Sequence, residues 1–144
     1  MKFVTKSLIA GLVIVAGAAF AQTKAIEPNV IERQALMSTI GGSTKILGDM
    51  ATGKAPFDAA AAEAAKAAMI AASAEIAAKF EVQATDPASE AKPEIWTNWN
   101  DFVAKGMALN AAATAIDVAS LDTVKAGMGQ IGGSCADCHR PYRY

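Results

Sequence analysis

The chain has 144 residues, of which 53% are hydrophobic, 19% are charged and only 6% are aromatic. This length suits a single domain, and the high hydrophobic fraction excludes an intrinsically disordered chain. Its 13 basic side chains nearly balance 14 acidic ones, and the net charge of −1 argues against nucleic-acid binding, which needs a basic surface. Because cysteine occurs only twice and histidine once, chemistry that uses a thiol or an imidazole is confined to Cys135, Cys138 and His139.

Residues 1–21 have the layout of a secretory signal peptide. Lys2 and Lys6 flank the start of an apolar run from Leu8 to Phe20, and small residues precede a cleavage point after Ala21. A membrane anchor is the alternative, but the run is shorter than the roughly 20 residues that cross a bilayer. Cleavage leaves 11 basic and 14 acidic side chains, a net charge of −3. The sequence therefore predicts an exported, periplasmic mature domain over residues 22–144, with no stable membrane insertion.

Turn signals divide the mature chain into four predicted helices. The first spans about Pro28 to Ala51 and stops at Gly53, with Pro56 close behind. The second begins near Asp58 and is rich in alanine, with ten alanines among residues 59–73. These helices should be joined by a short turn and lie side by side.

Residues 81–92 contain Asp86-Pro87 and few large apolar side chains, so they are predicted to form the one long loop. Pro93 then opens the third helix. The fourth helix starts near Ser120 or Asp122 and runs into the cysteine motif. Because no strand pattern is visible, the predicted fold is all-α, an antiparallel four-helix bundle, which builds cofactor sites from side chains on facing helices.

Cys135-Ala136-Asp137-Cys138-His139 is a C-x-x-C-H sequence, the attachment signature of c-type haem. Two thiols one helical turn apart can each form a thioether to a porphyrin vinyl group, and the adjacent imidazole can bind the iron. The alternatives are a thioredoxin-type redox pair, which belongs to an α/β fold, and a zinc site, which needs four ligands. The chain shows no strands and no second cysteine pair, so the sequence predicts one covalent haem c.

With one histidine, the second axial position of the iron is left to methionine, water, another group or nothing. Met128 shares the predicted fourth helix with His139 and is poorly placed, and core packing is the usual role of a helical methionine. Met37 lies one turn after Arg33 and one turn before Gly41. On that face the guanidinium could pair with a haem propionate, the thioether could bind iron, and the glycine makes room for the ring.

Gly41 and Gly42 together cost about 2 kcal/mol relative to alanine within a helix, which predicts a close approach at this point. From the residues alone, Met37 as an iron ligand and Met37 as a plain core residue both remain open.

These features resemble the cytochrome c-prime family of class II c-type cytochromes, whose haem motif lies near the end of a four-helix bundle. The likeness covers the whole mature chain and is carried by Arg33-Gln34, residues 53–58, residues 93–96 and residues 135–142. It implies that Met37 occupies the distal haem position, as in the low-spin, six-coordinate branch similar to cytochrome c-556. It also implies that Arg33 lies near the haem propionates and that Arg143 is the basic residue usual after the histidine.

Pro141 departs from the family pattern, because the family normally continues its helix at that position. Proline removes a backbone donor and can end a helix early, so the surroundings of His139 are expected to differ from those in the family.

Two functions follow from these expectations. The leading one is a one-electron carrier in which His139 and Met37 stay bound to iron, and the alternative is a gas-binding protein for nitric oxide or carbon monoxide with an open or displaceable distal site. Catalysis is disfavoured because no second histidine is available for proton transfer. We expect redox partner proteins, whose identity the sequence does not give. The resemblance implies a possible homodimer through the first two helices.

Overall fold

The structure is a computed structural model that describes residues 24–144. The predicted signal peptide, residues 1–21, lies outside the described residues. The described chain forms six helical segments: α1 (Pro28–Ala51), α2 (Ala59–Ala74), α3 (Ile76–Phe80), α4 (Glu94–Thr97), α5 (Trp99–Ala115) and α6 (Leu121–Tyr142). Within residues 24–144, no helix has the length and apolar character needed to span a membrane.

The first helix has the bounds that the sequence predicts. The Glu27 carboxylate accepts a hydrogen bond from the backbone N–H of Val30, and Pro28 occupies the first turn, where its missing N–H costs nothing. The turn after α1 contains Gly53 with φ of 75°, a conformation that favours glycine. Asp58 then caps α2 by accepting from the N–H of Ala61 at 3.0 Å.

The predicted second and third helices are each interrupted once. Between α2 and α3, the N–H of Glu75 bonds to the Ala72 carbonyl, three residues back, at 3.1 Å, which tightens the turn. Between α4 and α5, Asn98 adopts φ −117° and ψ 40°, outside the helical region. The six segments thus make four arms, namely α1, α2 with α3, α4 with α5, and α6, and the all-α prediction is confirmed.

The four arms enclose one core. α1 lies beside α2 and α6, and α5 lies beside the same two helices, so the arms form a closed ring around buried aliphatic side chains. α6 approaches the end of α5 closely, because a Cβ on Gly127 would lie only 2.4 Å from Ile116 Cγ1. The largest fully buried side chains are Leu47, Met69, Ile95, Ile131, Val30, Val118 and Val124.

The fourth arm, α6, brings the cysteine motif to one end of the bundle. It begins at a capping box between Ser120 and Thr123 and ends at Tyr142. Helix α6 continues through Pro141 for one residue and ends at Tyr142, so His139 still lies within the helix. The N–H of Arg143 still bonds to the His139 carbonyl at 2.9 Å, and the Tyr142 hydroxyl donates to Asp101 on α5 at 2.5 Å.

Candidate haem site

A cavity of about 960 Å³ opens between α1, α3, α5, α6 and the loop before α4. This volume lies at the upper end of the range typical of ligand and cofactor sites. Six residues were predicted for the site, and all of them line this one cavity: Arg33, Met37, Cys135, Cys138, His139 and Arg143. The structure therefore brings the six predicted residues together around one cavity at one end of the bundle.

Cys138 and His139 follow Cys135 by three and four residues on α6, about one helical turn, so the three side chains share one helix face. Burial raises the pKa of both thiols. Burial also lowers the pKa of His139, with Arg143 lowering it further and Glu90 opposing them. The neutral imidazole is therefore favoured, and this is the form that binds metal.

Met37 projects from α1 into the same cavity and is half-buried. Of the methionines in residues 24–144, it is the one that lines this cavity. Met50 and Met69 are buried in the core, Met128 packs against α1 near Gly48, and Met107 is 68% exposed. Met37 therefore faces this cavity, and it also packs against the hydrophobic core.

Gly41 lies on the cavity wall one turn beyond Met37. Within residues 24–144, a Cβ on Gly41 or Gly42 would meet no atom within 4 Å, so the protein itself makes no close approach there. At Gly41 the missing side chain leaves space in the cavity. Gly42 is exposed, and nothing in the structure explains it.

Arg33 is buried, with 3% of its surface exposed. Its Nε donates to the Lys79 carbonyl at 2.9 Å, and its Nη2 donates to the Val82 carbonyl. The guanidinium carbon also lies 4.9 Å from the centre of the Phe80 ring and 5.3 Å from that of Trp96. Arg33 therefore ties α1 to the end of α3, a structural role that sequence reasoning missed because these partners are about fifty residues away.

One donor of Arg33 is left over. Its Nη1 is buried and has no hydrogen-bond partner among the described residues. A buried charged donor without an acceptor is costly, so an anionic group in the adjoining cavity would stabilise it. A haem carries two propionates, and the cavity also presents two thiols, an imidazole and a thioether. The residues present thus fit this cofactor.

Arg143 lines the cavity, and its guanidinium pairs with a carboxylate. Its Nε donates to the Glu90 carboxylate at 2.6 Å, and Nη2 pairs with the same oxygen. Glu90 also lines the cavity and is a site residue that sequence reasoning missed. No spacing signal could have found it, because 53 residues separate the pair and Glu90 lies in the long loop.

The described residues do not form a ligand set for the alternative zinc site. Across residues 24–144, no three His, Cys, Asp or Glu side chains come together in a way that could hold a metal ion.

A family model described as Cytochrome C' matches residues 29–143. The chain belongs to the cytochrome c' family. A cytochrome c-556 of Agrobacterium fabrum is 35% identical over 147 residues, covering 99% of this chain and 95% of the relative. The solved cytochrome c' from Rhodopseudomonas palustris superposes with a TM-score of 0.75 at 29% identity, covering 82% of this chain and 97% of the other. A nitric oxide complex of a mutant cytochrome c prime from Alcaligenes xylosoxidans gives a TM-score of 0.68 at 28% identity, with coverages of 81% and 93%.

Membership of this family supports three of the predictions made from sequence. The bundle is the four-helix cytochrome c' fold, the cofactor is one covalent haem c with its iron, and the chain is a haem protein of the electron-carrying or gas-binding kind.

Proposed function

We propose that the mature chain is a periplasmic one-electron carrier whose haem iron is bound by His139 and Met37. The observation that carries this proposal is the position of Met37, the methionine that shares the cavity with the C-x-x-C-H motif in the described part of the chain. It lies on α1, and His139 lies on α6, the neighbouring arm of the bundle.

Each side chain has a distinct task in this proposal. The haem supplies an iron centre that exchanges one electron between its ferric and ferrous states. Cys135 and Cys138 hold the porphyrin through thioethers, which fix it to α6. The thioether of Met37 raises the reduction potential of a haem that histidine also binds, and the apolar walls of the cavity act in the same direction.

Arg33 and the protein frame keep the site rigid. The Nη1 of Arg33 would donate to a propionate while the rest of its guanidinium stays bonded to the carbonyls of Lys79 and Val82. Because both proposed axial ligands project from long helices packed side by side, little rearrangement is expected on electron transfer. No enzymatic turnover is expected of this site, because the single histidine would already serve as an iron ligand.

Optical spectra of the ferric and ferrous protein, with and without carbon monoxide, test this assignment. The wild type should be low-spin in both states and should resist carbon monoxide. Met37→Ala should become high-spin when reduced and bind carbon monoxide readily. The matched control is Met107→Ala, which removes an exposed methionine outside the cavity and should leave the spectra unchanged. An unaltered low-spin spectrum for Met37→Ala would rule out Met37 as the ligand.

A second candidate function is the binding of nitric oxide or carbon monoxide at an open or displaceable position on the iron. The observation that favours it is the structural likeness to a cytochrome c prime of which a mutant has been solved as a nitric oxide complex. The same spectra separate the two functions, because a high-spin ferrous wild type that binds carbon monoxide readily supports gas binding.

Export and assembly complete the proposal. Amino-terminal sequencing of the protein recovered from the periplasm should begin at Gln22, the residue after the predicted cleavage point. The partners would be redox proteins that dock near the haem. A homodimer through α1 and α2 is supported by two half-exposed isoleucines on α1, Ile31 and Ile46, and is tested by the mass of the purified protein in solution.

A further inference from the structure

Residues 86–92, here called the strap, cross one side of the haem cavity and are tied at both ends. At one end, the Asp86 carboxylate accepts from the backbone N–H groups of Ile26 and Glu27 at 2.8 and 2.9 Å. At the other end, the strap pairs with the last residue of α6 and with the residues that follow it: the N–H of Lys92 bonds to the Tyr142 carbonyl at 3.0 Å. The N–H of Tyr144 bonds to the Glu90 carbonyl, also at 3.0 Å. The backbone alone therefore holds the strap against the end of α6.

The ion pair between Glu90 and Arg143 is added to this backbone pairing. Both side chains are about half-exposed, at 56% and 50%. Exposed ion pairs contribute little to folding stability, and the strap is already fixed by its hydrogen bonds. The pair therefore adds little to folding stability. Its position suggests a different role.

That position is beside the proposed iron ligand. Arg143 follows His139 by four residues and donates its backbone N–H to the His139 carbonyl at 2.9 Å. Glu90, Arg143 and His139 all line the haem cavity. A long arginine side chain has many rotamers, so without a fixed acceptor its charge would have no defined place along the cavity wall.

We infer that Glu90 is a positioning residue for the haem site: its carboxylate fixes the Arg143 guanidinium beside His139, so that the pair sets the local charge that tunes the reduction potential. The inference rests on the proposed function in that it takes His139 as an iron ligand. A ferric haem carries one more positive charge than a ferrous one. Removing the Glu90 charge, or freeing the Arg143 charge to move inward, therefore favours the ferrous state.

The test is the reduction potential of the haem-loaded protein at low ionic strength, measured by spectroelectrochemical titration. Glu90→Gln should raise the ferrous-to-ferric ratio at a fixed potential about three- to tenfold, which corresponds to a positive shift of about 30–60 mV for a one-electron couple. The matched control is Glu32→Gln, which removes an equally exposed carboxylate that pairs with Lys79 and does not line the cavity. The control should change the ratio by less than about twofold, as expected for a screened surface charge.

A double-mutant cycle separates positioning from simple loss of a charge. If Glu90 acts through Arg143, the effect of Glu90→Gln should shrink clearly in an Arg143→Gln background. Equal effects of Glu90→Gln and Glu32→Gln, or an undiminished effect of Glu90→Gln in the Arg143→Gln background, would overturn the inference. The unmodified protein's spectrum reports the axial ligands independently, so a failure of His139 and Met37 ligation would be recognised separately.

Discussion

Replacement of Arg33 gives the most detailed test of how the cavity wall is held together. In Arg33→Met the apolar volume is largely kept, but the bonds to the carbonyls of Lys79 and Val82 are lost. Hydrogen bonds from a charged donor contribute about 1.5–3 kcal/mol each, and contact with the two aromatic rings adds about 1 kcal/mol. Removing the guanidinium also removes the cost of burying its charge, which offsets part of these losses. We therefore expect a net loss of about 2–4 kcal/mol in the free energy of unfolding.

Arg33→Lys refines the same prediction. Lysine keeps the charge but cannot present the planar fork of donors that reaches both carbonyls, so the expected loss is smaller, about 1–2 kcal/mol. Chemical unfolding of the haem-loaded variants measures both values. Lys79→Gln is the control, because it breaks the exposed pair with Glu32 without touching the Lys79 carbonyl, and it should change stability little. Unfolding midpoints for Arg33→Met equal to the wild type would refute this account of the site wall.

Two further predictions concern the arm that carries the haem motif. Gly127→Ala should lower the free energy of unfolding by about 1–2 kcal/mol despite its gain in helix propensity, because the new Cβ collides with Ile116. Gly129→Ala should stabilise α6, because its new Cβ meets no neighbour within 4 Å. Thermal unfolding of the two variants measures the difference. Burial and the bond to Asp101 raise the pKa of Tyr142 to about 12. Its contribution to stability is therefore present below the unfolded pKa of about 10 and is lost as the pH rises through 12, and Tyr142→Phe should abolish that alkaline dependence in unfolding experiments.

The parts of this protein that sequence reasoning predicted well are those with local causes. Pro28 marks the start of α1 and Gly53 marks its end, and Ser120 marks the start of α6. Each of these residues lies within a few positions of the helix end that it marks. The haem motif is local too, since two thiols and an imidazole must share one turn to hold one cofactor. These features need no knowledge of distant contacts.

The parts that it missed depend on distant contacts. The breaks at Glu75 and Asn98 contain neither glycine nor proline, so no strong local signal marks them. The acceptors of Arg33 and the partner of Arg143 lie in segments that only the folded bundle brings near. Pro141 is a local signal as well: α6 continues through it for only one residue and ends at Tyr142.

Ligation of the iron by Met37 is the claim on which the electron-carrier proposal depends most. Proton NMR of the reduced protein, with labelled methionine methyl groups, tests it directly, because a methyl group held against the face of a porphyrin experiences a large ring-current shift. We predict one methionine methyl signal far upfield of the rest, present in the wild type and in Met107→Leu and lost in Met37→Leu. Absence of such a signal in the wild type, or its persistence in Met37→Leu, would contradict the account.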